Sequence, residues 1–304
     1  MPQRAAELFA RTDAGVGGAV GIFKRRLKFT ARLLWFRAHI DRLAQTFERH
    51  ALARLPLDDG HLLIKASRPY LWTGLAGAQR FEAQAAHFDW LVGRFQSPQV
   101  QQFYASGRRE LGQWSRDDSR IALDLIPARG PAREGELELH LRLGGESVMR
   151  VSLTVLPARL LGLKEDGSVM FVGSLQGRRD AQEAVRKATA LMERTKPQAI
   201  LLNALQGMAQ AWGLTALVGV SDAGHVYAGY RSLARRVGIR YDELWQELGA
   251  SQRLSPCFWR LPLHWVPRPE SEVESRKRSQ LRRRNALRQQ VHDASALGAQ
   301  ALAA

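Results

Sequence analysis

Two short apolar runs, at residues 169–172 and 214–220, most constrain how this 304-residue chain can fold. Each run is shorter than a typical helix and is bounded by turn residues, which is typical of a buried strand. Between the two runs lie two stretches with helical character, residues 180–194 and 196–212. We therefore expect a strand that ends at Gly173, two helices, and a second strand beside the first in the same sheet.

The chain before this unit changes from a helical to an alternating pattern. Residues 137–143 and 148–156 alternate apolar and polar side chains on either side of Gly144 and Gly145, which predicts an antiparallel hairpin. Residues 23–55 repeat apolar side chains every three or four positions, as an amphipathic helix does. This stripe comprises Phe29, Leu33, Phe36, Ile40, Leu43 and Phe47. We favour packing of the stripe in the core over the membrane-surface helix that its basic opposite face also resembles.

Together these patterns predict an α+β protein with a helical N-terminal region, a central mixed, largely antiparallel sheet and a basic C-terminal helix. Residues 1–22 are expected to form a flexible leader, residues 23–118 the helical region, and residues 119–269 the α+β core domain. Residues 270–304 are expected to form the basic helix and a frayed tail. No segment reaches the ~20 apolar residues that span a bilayer. The sequence therefore indicates a cytoplasmic protein, or one at the cytoplasmic face of the inner membrane.

The formal net charge of +16 indicates an acidic partner. An anionic membrane surface and a phosphate-bearing ligand both fit this charge. Nucleic acid fits less well, because the basic residues are not interleaved with exposed aromatic residues. Arginine supplies most of the positive charge, which suits phosphate binding but also follows from a GC-rich genome. The single cysteine, Cys257, excludes a disulfide framework and a Cys-rich zinc site, and we expect no metal.

A dense group of basic residues in the C-terminal helix is one candidate site for binding a partner or an anion. It comprises Arg276, Lys277, Arg278, Arg282, Arg283 and Arg284. These residues wrap most of a helical circumference, and charges of one sign so close together repel one another unless acidic groups meet them. Lipid headgroups, nucleic acid and acidic residues of the same protein all remain open as the partner.

A second candidate site follows the first buried strand, at Gln176, Gly177, Arg178 and Arg179. Free backbone amides at the start of a helix, together with two arginines, suit a phosphate group. The arrangement is similar to the pyrophosphate arm of GNAT-type N-acyltransferases, and this GNAT-like character implies coenzyme A or an acyl-thioester as the ligand. The RxGxG/A spacing of those enzymes is absent here, and two helices stand where one is usual. A turn with solvated arginines is therefore slightly favoured over the phosphate site.

A third candidate site follows the second buried strand, where ligands gather in α/β proteins. Histidine is the side chain that ordinarily serves as a general base near neutral pH, so His225 is the best available general base, with Asp222 or Ser221 able to orient it. The alternative, which we favour, is that Asp222 caps a turn and His225 forms hydrogen bonds within it. Motifs of serine hydrolases, zinc proteases and P-loop nucleotidases are absent from the sequence.

Several separated motifs, in order, resemble the VirK/YbjX family of Gram-negative bacteria. They are VGSLQG at 172–177, KP at 196–197, LLNAL at 201–205, WG at 212–213, VSDAGHVY at 220–227, YDELWQE at 241–247, SRKRS at 275–279 and RRR at 282–284. The resemblance covers residues 23–291. It implies a bacterial protein that serves the cell envelope or virulence and has no established activity. Members have been associated with surface-protein placement and with resistance to cationic antimicrobial peptides.

Two hypotheses of function follow, and the sequence leaves open whether the chain is an enzyme. The first is a GNAT-like acyltransferase at the cytoplasmic side of the envelope, with an acyl-thioester near residues 176–179 and His225 close to the acceptor. The second is a non-enzymatic peripheral protein whose basic helices, at residues 23–55 and 271–291, bind an anionic membrane or an acidic partner.

Overall fold

The computed structural model describes residues 19–116, 118–178, 181–230 and 237–302. Most of the predicted leader and the predicted site residue Arg179 lie outside these ranges. Within them the alternating segments form one eight-stranded sheet. The strands are β1 (Arg109–Arg116), β2 (Ser119–Pro127), β3 (Leu137–Leu143), β4 (Glu146–Pro157), β5 (Ser168–Gly177), β6 (Ala216–Val220), β7 (Gln252–Ser255) and β8 (Phe258–Leu261).

The strand order is β1-β2-β3-β4-β5-β6-β8-β7. Strands β1 to β5 form an antiparallel meander, and β5 and β6 are parallel. The last two strands return antiparallel at the other edge, where β8 pairs with β6 and β7 pairs with β8. A parallel pair needs a crossover connection, and two helices supply it here. The mixed, largely antiparallel sheet and its helices confirm the predicted α+β class.

Nine α-helices lie among the described residues, including short ones of a single turn. They are α1 (Ala19–Trp35), α2 (Arg37–Arg49), α3 (Leu55–Asp58), α4 (His61–Ile64), α5 (Gly77–Ser106), α6 (Gln182–Leu191), α7 (Pro197–Trp212), α8 (Tyr241–Glu247) and α9 (Ser275–Gly298). Helix α5 is kinked at Gln96, whose φ of 65° lies outside the helical region, two residues before Pro98.

The N-terminal apolar stripe packs as predicted. Phe29, Leu43 and Phe47 are buried, and the remaining members of the stripe are partly buried against the same core. The single helix expected over residues 23–55 is wrong in its continuity and its bounds, because the helical chain begins at Ala19, breaks at Phe36 into α1 and α2, and ends at Arg49. This break turns the chain between two helices whose apolar faces both reach the core.

Helices α7 and α9 pack side by side on the sheet. Gly207 allows this close approach, because a Cβ atom there would lie 2.2 Å from the carbonyl oxygen of His292. The Trp212 Nε1–H donates a hydrogen bond of 2.8 Å to the Ala299 carbonyl, and both Ala299 and Leu302 are buried. The expectation of a frayed tail is therefore wrong for the described residues up to 302, because the tail is part of the core.

Two strands differ from the sequence-based expectation. Strand β5 does not end at Gly173 but continues to Gly177 beside β4. Strand β1 was not predicted, and it lies within the region expected to be helical. Its pairing with β2 makes residues 109–116 part of the sheet. The division of the chain at residues 118 and 119 remains a prediction.

Candidate active site around Glu134 and His225

Pairing between the two parallel strands stops before their carboxyl ends, and we call the place beyond the last pair the opening. Pairing of β5 with β6 runs from Val169–Ala216 to Val172–Gly219, which confirms that the two apolar runs lie side by side. Beyond this point β5 continues to Gly177, whereas β6 ends at Val220. Ligands bind at such openings, where the carboxyl ends of neighbouring strands separate.

Helix α8 contacts both strands at this opening through two aromatic side chains. The hydroxyl oxygen of Tyr241 accepts a hydrogen bond of 3.2 Å from the Leu175 amide of β5. The Trp245 Nε1–H donates to the Val220 carbonyl of β6 at 2.7 Å. One helix therefore connects β5 and β6 beyond their last paired residues.

A segment between β2 and β3, residues 128–136, crosses β4 and β5 beside this opening; we call it the crossing segment. The Glu136 amide donates to the Leu153 carbonyl of β4 at 3.0 Å. At β5 the approach is closer still, because a Cβ atom on Gly173 would lie 1.9 Å from the Glu134 carbonyl oxygen. Only glycine fits at position 173, which explains a glycine in the middle of a buried strand.

The crossing segment is anchored to the N-terminal region by a buried ion pair. Lys65 Nζ contacts Glu136 Oε2, and the Tyr70 hydroxyl donates to Glu136 Oε1. All three residues are almost completely buried. Burial raises the pKa of the Glu136 carboxyl, and the Lys65 charge opposes this rise. Burial, and the negative charge of Glu136, raise the pKa of Tyr70 far above its usual range.

The crossing segment places Glu134 at the opening, where one carboxylate oxygen receives two donors. Glu134 Oε1 accepts a hydrogen bond of 2.8 Å from Gln176 Nε2 and lies 3.0 Å from His225 Nε2. His225 Nδ1 accepts a hydrogen bond of 3.3 Å from the Tyr227 amide, so the proton of the neutral ring belongs on Nε2. Within the residues that the structure describes, no hydrogen bond or ion pair reaches Glu134 Oε2.

The His225 ring is held in one orientation. It stacks on the Tyr241 ring with 5.2 Å between ring centroids and 12° between ring planes. Its side chain is 2% exposed and that of Glu134 is 11% exposed, so the carboxylate is the more accessible partner. The arrangement resembles a catalytic pair in which the histidine orients a carboxylate.

A row of polar side chains leads across the sheet to this pair. Asp124, His140, Arg150 and Gln176 are successive register partners on β2, β3, β4 and β5; we call them the polar row. His140 Nε2 lies 2.7 Å from a carboxylate oxygen of Glu138, on the same strand. Burial raises the pKa of Asp124, whereas the charges of Arg108 and Arg142 lower it. The row carries both signs of charge and ends at Glu134.

The side chains of Ser221 and Asp222 form hydrogen bonds away from the His225 ring. Ser221 Oγ donates to the Pro256 carbonyl at 2.6 Å and accepts from the Gly224 amide at 2.9 Å. Asp222 Oδ1 accepts from the Tyr241 amide at 2.6 Å, which satisfies a free amide at the start of α8. These bonds shape the loop that presents His225, and Glu134 supplies the orienting contact that was assigned to Asp222 or Ser221.

The predicted phosphate site is divided by the structure. Gln176 points to Glu134, whereas the exposed Arg178 forms an ion pair of 2.6 Å with Glu146 at the start of β4. Gly177 is exposed at the end of β5, and Arg179 lies outside the described residues. The structure therefore brings Gln176 and His225 together on one carboxylate. Gly177 and Arg178 lie at the exposed end of β5, which we call the rim.

The basic residues of α9 contact groups of the same chain. Arg276 and Lys277 pair with Glu274, Arg282 with Glu270, and Arg283 with Glu193. Arg284 Nε donates to the Glu193 carbonyl at 2.7 Å, and Arg278 Nε donates to the Val273 carbonyl at 3.3 Å. Of the three partners left open by the sequence, acidic groups of the protein itself are the ones that the structure places here.

Glu134 was missed by the sequence analysis. The crossing segment has neither a helical nor an alternating pattern, and it was not assigned to any element. The one available signal was the Glu-Gly-Glu sequence at 134–136 between two strands, where two carboxylates flank a residue that permits close packing.

The fold and the site together define an α+β protein with a buried carboxylate–histidine pair at the open end of a parallel strand pair. The chain belongs to the family described as protein of unknown function (DUF535), whose model matches residues 19–296. It is 33% identical over 126 residues to an uncharacterized protein of Haemophilus influenzae, covering 40% of this chain and 41% of that protein. It is 22% identical over 231 residues to the uncharacterized protein YbjX of Escherichia coli K12, covering 73% of this chain and 67% of that protein.

These matches identify the VirK/YbjX resemblance as a family relationship. The matched stretch spans about two fifths of the Haemophilus protein. No solved structure matches the chain. Among the helices of the described residues, none combines the length and the apolar character needed to cross a bilayer.

Proposed function

We propose that the protein is a GNAT-like acyltransferase that uses an acyl-thioester donor such as acyl-coenzyme A. One observation carries this proposal. Pairing of the parallel strands β5 and β6 ends at Val172 and Gly219, and the Glu134–His225 pair lies at the opening beyond this point. The order of a strand, a glycine- and arginine-containing loop, helices and a parallel strand supports the same conclusion.

The residues at the rim fit the phosphate groups of coenzyme A. Gly177 and Arg178 are exposed at the end of β5, and Arg186 and Lys187 are exposed on α6. The first amides of α6 have no partner within the helix and carry its positive dipole end. Binding there would place the thioester end of the donor towards the opening between the strands.

The acyl-thioester supplies an activated acyl group, and the protein has to position an acceptor and take up its proton. As the acceptor nitrogen or oxygen bonds to the acyl carbon, the carbon–sulfur bond breaks and the nucleophile loses a proton. In this proposal Glu134 Oε2 accepts the proton, because Gln176 and His225 both contact Oε1. The proton then passes to the leaving thiolate. The polar row suits an acceptor that carries an amine or a hydroxyl together with charged groups.

Titration of the full chain with coenzyme A tests the proposal. We expect binding in calorimetry, a rise in melting temperature, and an affinity several-fold weaker in Arg178→Ala. Arg159→Ala is the matched control, because Arg159 is also an exposed arginine with one acidic partner, Glu82. Absence of heat and of any thermal shift at millimolar coenzyme A would remove the acyltransferase proposal.

The second candidate is a non-enzymatic peripheral protein that binds an anionic membrane or an acidic partner. The net charge of +16 supports it. The pairing of the α9 arginines with acidic groups of the chain weakens the role of that helix, because these side chains already have partners. A setting at the cell envelope rests on the family resemblance and is part of the same proposal.

A further inference from the structure

Helix α1 carries a second apolar stripe that faces away from the core. Phe23, Leu27 and Leu34 are 67%, 61% and 62% exposed, and Trp35 at the end of the helix is 83% exposed. At 100° per residue the first three side chains lie within about 40° of one another. Phe29, which is buried, lies about 140° away around the helix, so α1 has one apolar face for the core and another for the surroundings.

The charges of α1 frame this exposed stripe. The helix contains five basic residues and no acidic one. Arg26 lies on one flank of the stripe, and Lys24 and Lys28 lie on the other, all three exposed. Long basic side chains beside an apolar stripe are typical of a helix that lies in the interface of an anionic membrane.

The charges of α1 favour a lipid surface over a second copy of this chain as the partner of the exposed stripe. A second copy of α1 would bring its basic residues against the basic residues of the first copy. Neither helix has an acidic residue that could pair with them. An anionic bilayer supplies negative headgroups at the depth of the flanks and acyl chains at the depth of the stripe. Trp35, the last residue of α1, lies about 100° around the helix from the middle of the stripe, on the same flank as Lys24 and Lys28, where an aromatic ring fits the boundary between headgroups and acyl chains.

We propose that α1 lies in the plane of an anionic membrane surface, with Phe23, Leu27 and Leu34 among the acyl chains, Trp35 at the boundary with the headgroups, and Lys24, Arg26 and Lys28 at the headgroup phosphates. The contact does not depend on acyl transfer at Glu134. It gives the second candidate function a defined binding surface and would hold an acyltransferase at the membrane.

Flotation of the full chain with lipid vesicles tests this proposal. We expect binding to phosphatidylcholine vesicles that contain about 30% phosphatidylglycerol, and much weaker binding to phosphatidylcholine alone, because the flanking residues need negative headgroups. The variant Phe23→Ser/Leu27→Ser/Leu34→Ser should lose at least about tenfold in affinity, because it removes the inserted apolar groups. Since all three side chains are exposed, its melting temperature should stay near that of the wild type.

The matched control is Val266→Ser/Leu297→Ser, which removes two exposed apolar side chains far from α1 in the chain and should bind like the wild type. Equal binding of the α1 variant and this control would overturn the proposal, as would equal binding to neutral and anionic vesicles. Light scattering without vesicles tests whether a second copy of the chain covers the stripe. A wild-type dimer that becomes a monomer in the α1 variant would assign the stripe to a second copy and overturn the membrane proposal. Coenzyme A titration of the same variant remains an independent measure of the acyltransferase proposal.

Discussion

Glu134 and Glu136 lie two residues apart on the crossing segment, but their carboxylates meet opposite surroundings. Glu136 is fully buried between Lys65 and Tyr70, and an ion pair compensates its charge. Glu134 is also buried but keeps 11% of its side chain exposed, and its two donors, Gln176 and His225, both contact the same oxygen. The comparison separates a carboxylate that anchors the fold from one that is prepared to meet a ligand.

The largest expected effect comes from breaking the buried pair. Glu136→Gln leaves the Lys65 charge without a counter-charge in the interior, so the free energy of unfolding should fall by about 3–5 kcal/mol. Urea denaturation measures this loss. The control Glu165→Gln breaks an ion pair with Arg260 that is one-third exposed, and it should cost less than about 1 kcal/mol. A similar loss in both variants would contradict the anchoring role of Glu136.

The next largest effect is a pH dependence of the free energy of unfolding, caused by His87 near Lys65. Burial, together with the nearby Lys65 charge, lowers the pKa of His87 to about 3 from an ordinary 6.5. As the pH falls below 6.5, the unfolded chain therefore binds a proton at His87 that the folded chain does not bind. The contribution of the neutral ring to the free energy of unfolding is present above pH 6.5 and is lost as the pH falls towards 3. The loss should reach about 2 kcal/mol at pH 5 relative to pH 7.5.

His87→Asn keeps an acceptor for the Val155 amide but removes the titrating ring. Urea denaturation of both proteins at the two pH values should show the wild-type loss reduced by about 2 kcal/mol in this variant. An unchanged pH dependence would contradict the lowered pKa of His87, because it would mean that the ring binds a proton equally well in the folded and the unfolded protein.

Substitution at Glu134 should affect activity more than stability. Glu134→Gln keeps the shape of the side chain but removes the proton acceptor. We expect the free energy of unfolding to change by only about 1 kcal/mol. Thiol release from acetyl-coenzyme A, with water or a simple amine as acceptor, should fall about 100-fold or more. A stability loss as large as that of Glu136→Gln, with thiol release unchanged, would make both glutamates anchors.

The smallest expected effect is at the rim. Arg178→Ala breaks an ion pair with Glu146 in which both side chains are more than half exposed. Such pairs contribute between about 0 and 1 kcal/mol, so the melting temperature should be almost unchanged. Any weakening of coenzyme A binding in this variant is then an effect on the ligand, not on folding.

Much of the fold could be predicted because its signals are local. The alternation across Gly144 and Gly145 gave the β3–β4 hairpin, and the spacing from Phe29 to Phe47 identified the core-facing side of the N-terminal helices. The two short apolar runs were correctly placed side by side, since flanking helices leave few other arrangements. Strand β1 was missed because its sequence, RELGQWSR, lacks regular alternation and is stabilised by pairing with β2.

The candidate site could be predicted only in part. His225 and Gln176 were singled out from separate motifs, but nothing in their local sequence indicates that they share a partner. That partner, Glu134, is 42 residues from Gln176 and 91 residues from His225 along the chain. Asp222 was assigned to His225 because it is close in sequence, whereas in the fold it accepts the Tyr241 amide.

The sequence by itself determined the family through its ordered motifs. It also determined the α+β class and the periodic elements, because side-chain periodicity reports which face of a helix or strand is buried. The tertiary structure alone decided which glutamate meets His225, which arginines already have partners, and which face of α1 stays exposed. These outcomes depend on contacts between residues far apart in the chain. Gly173 shows the difference: its sequence context suggests the end of a strand, and only the crossing of residues 128–136 over β5 explains why glycine is required there.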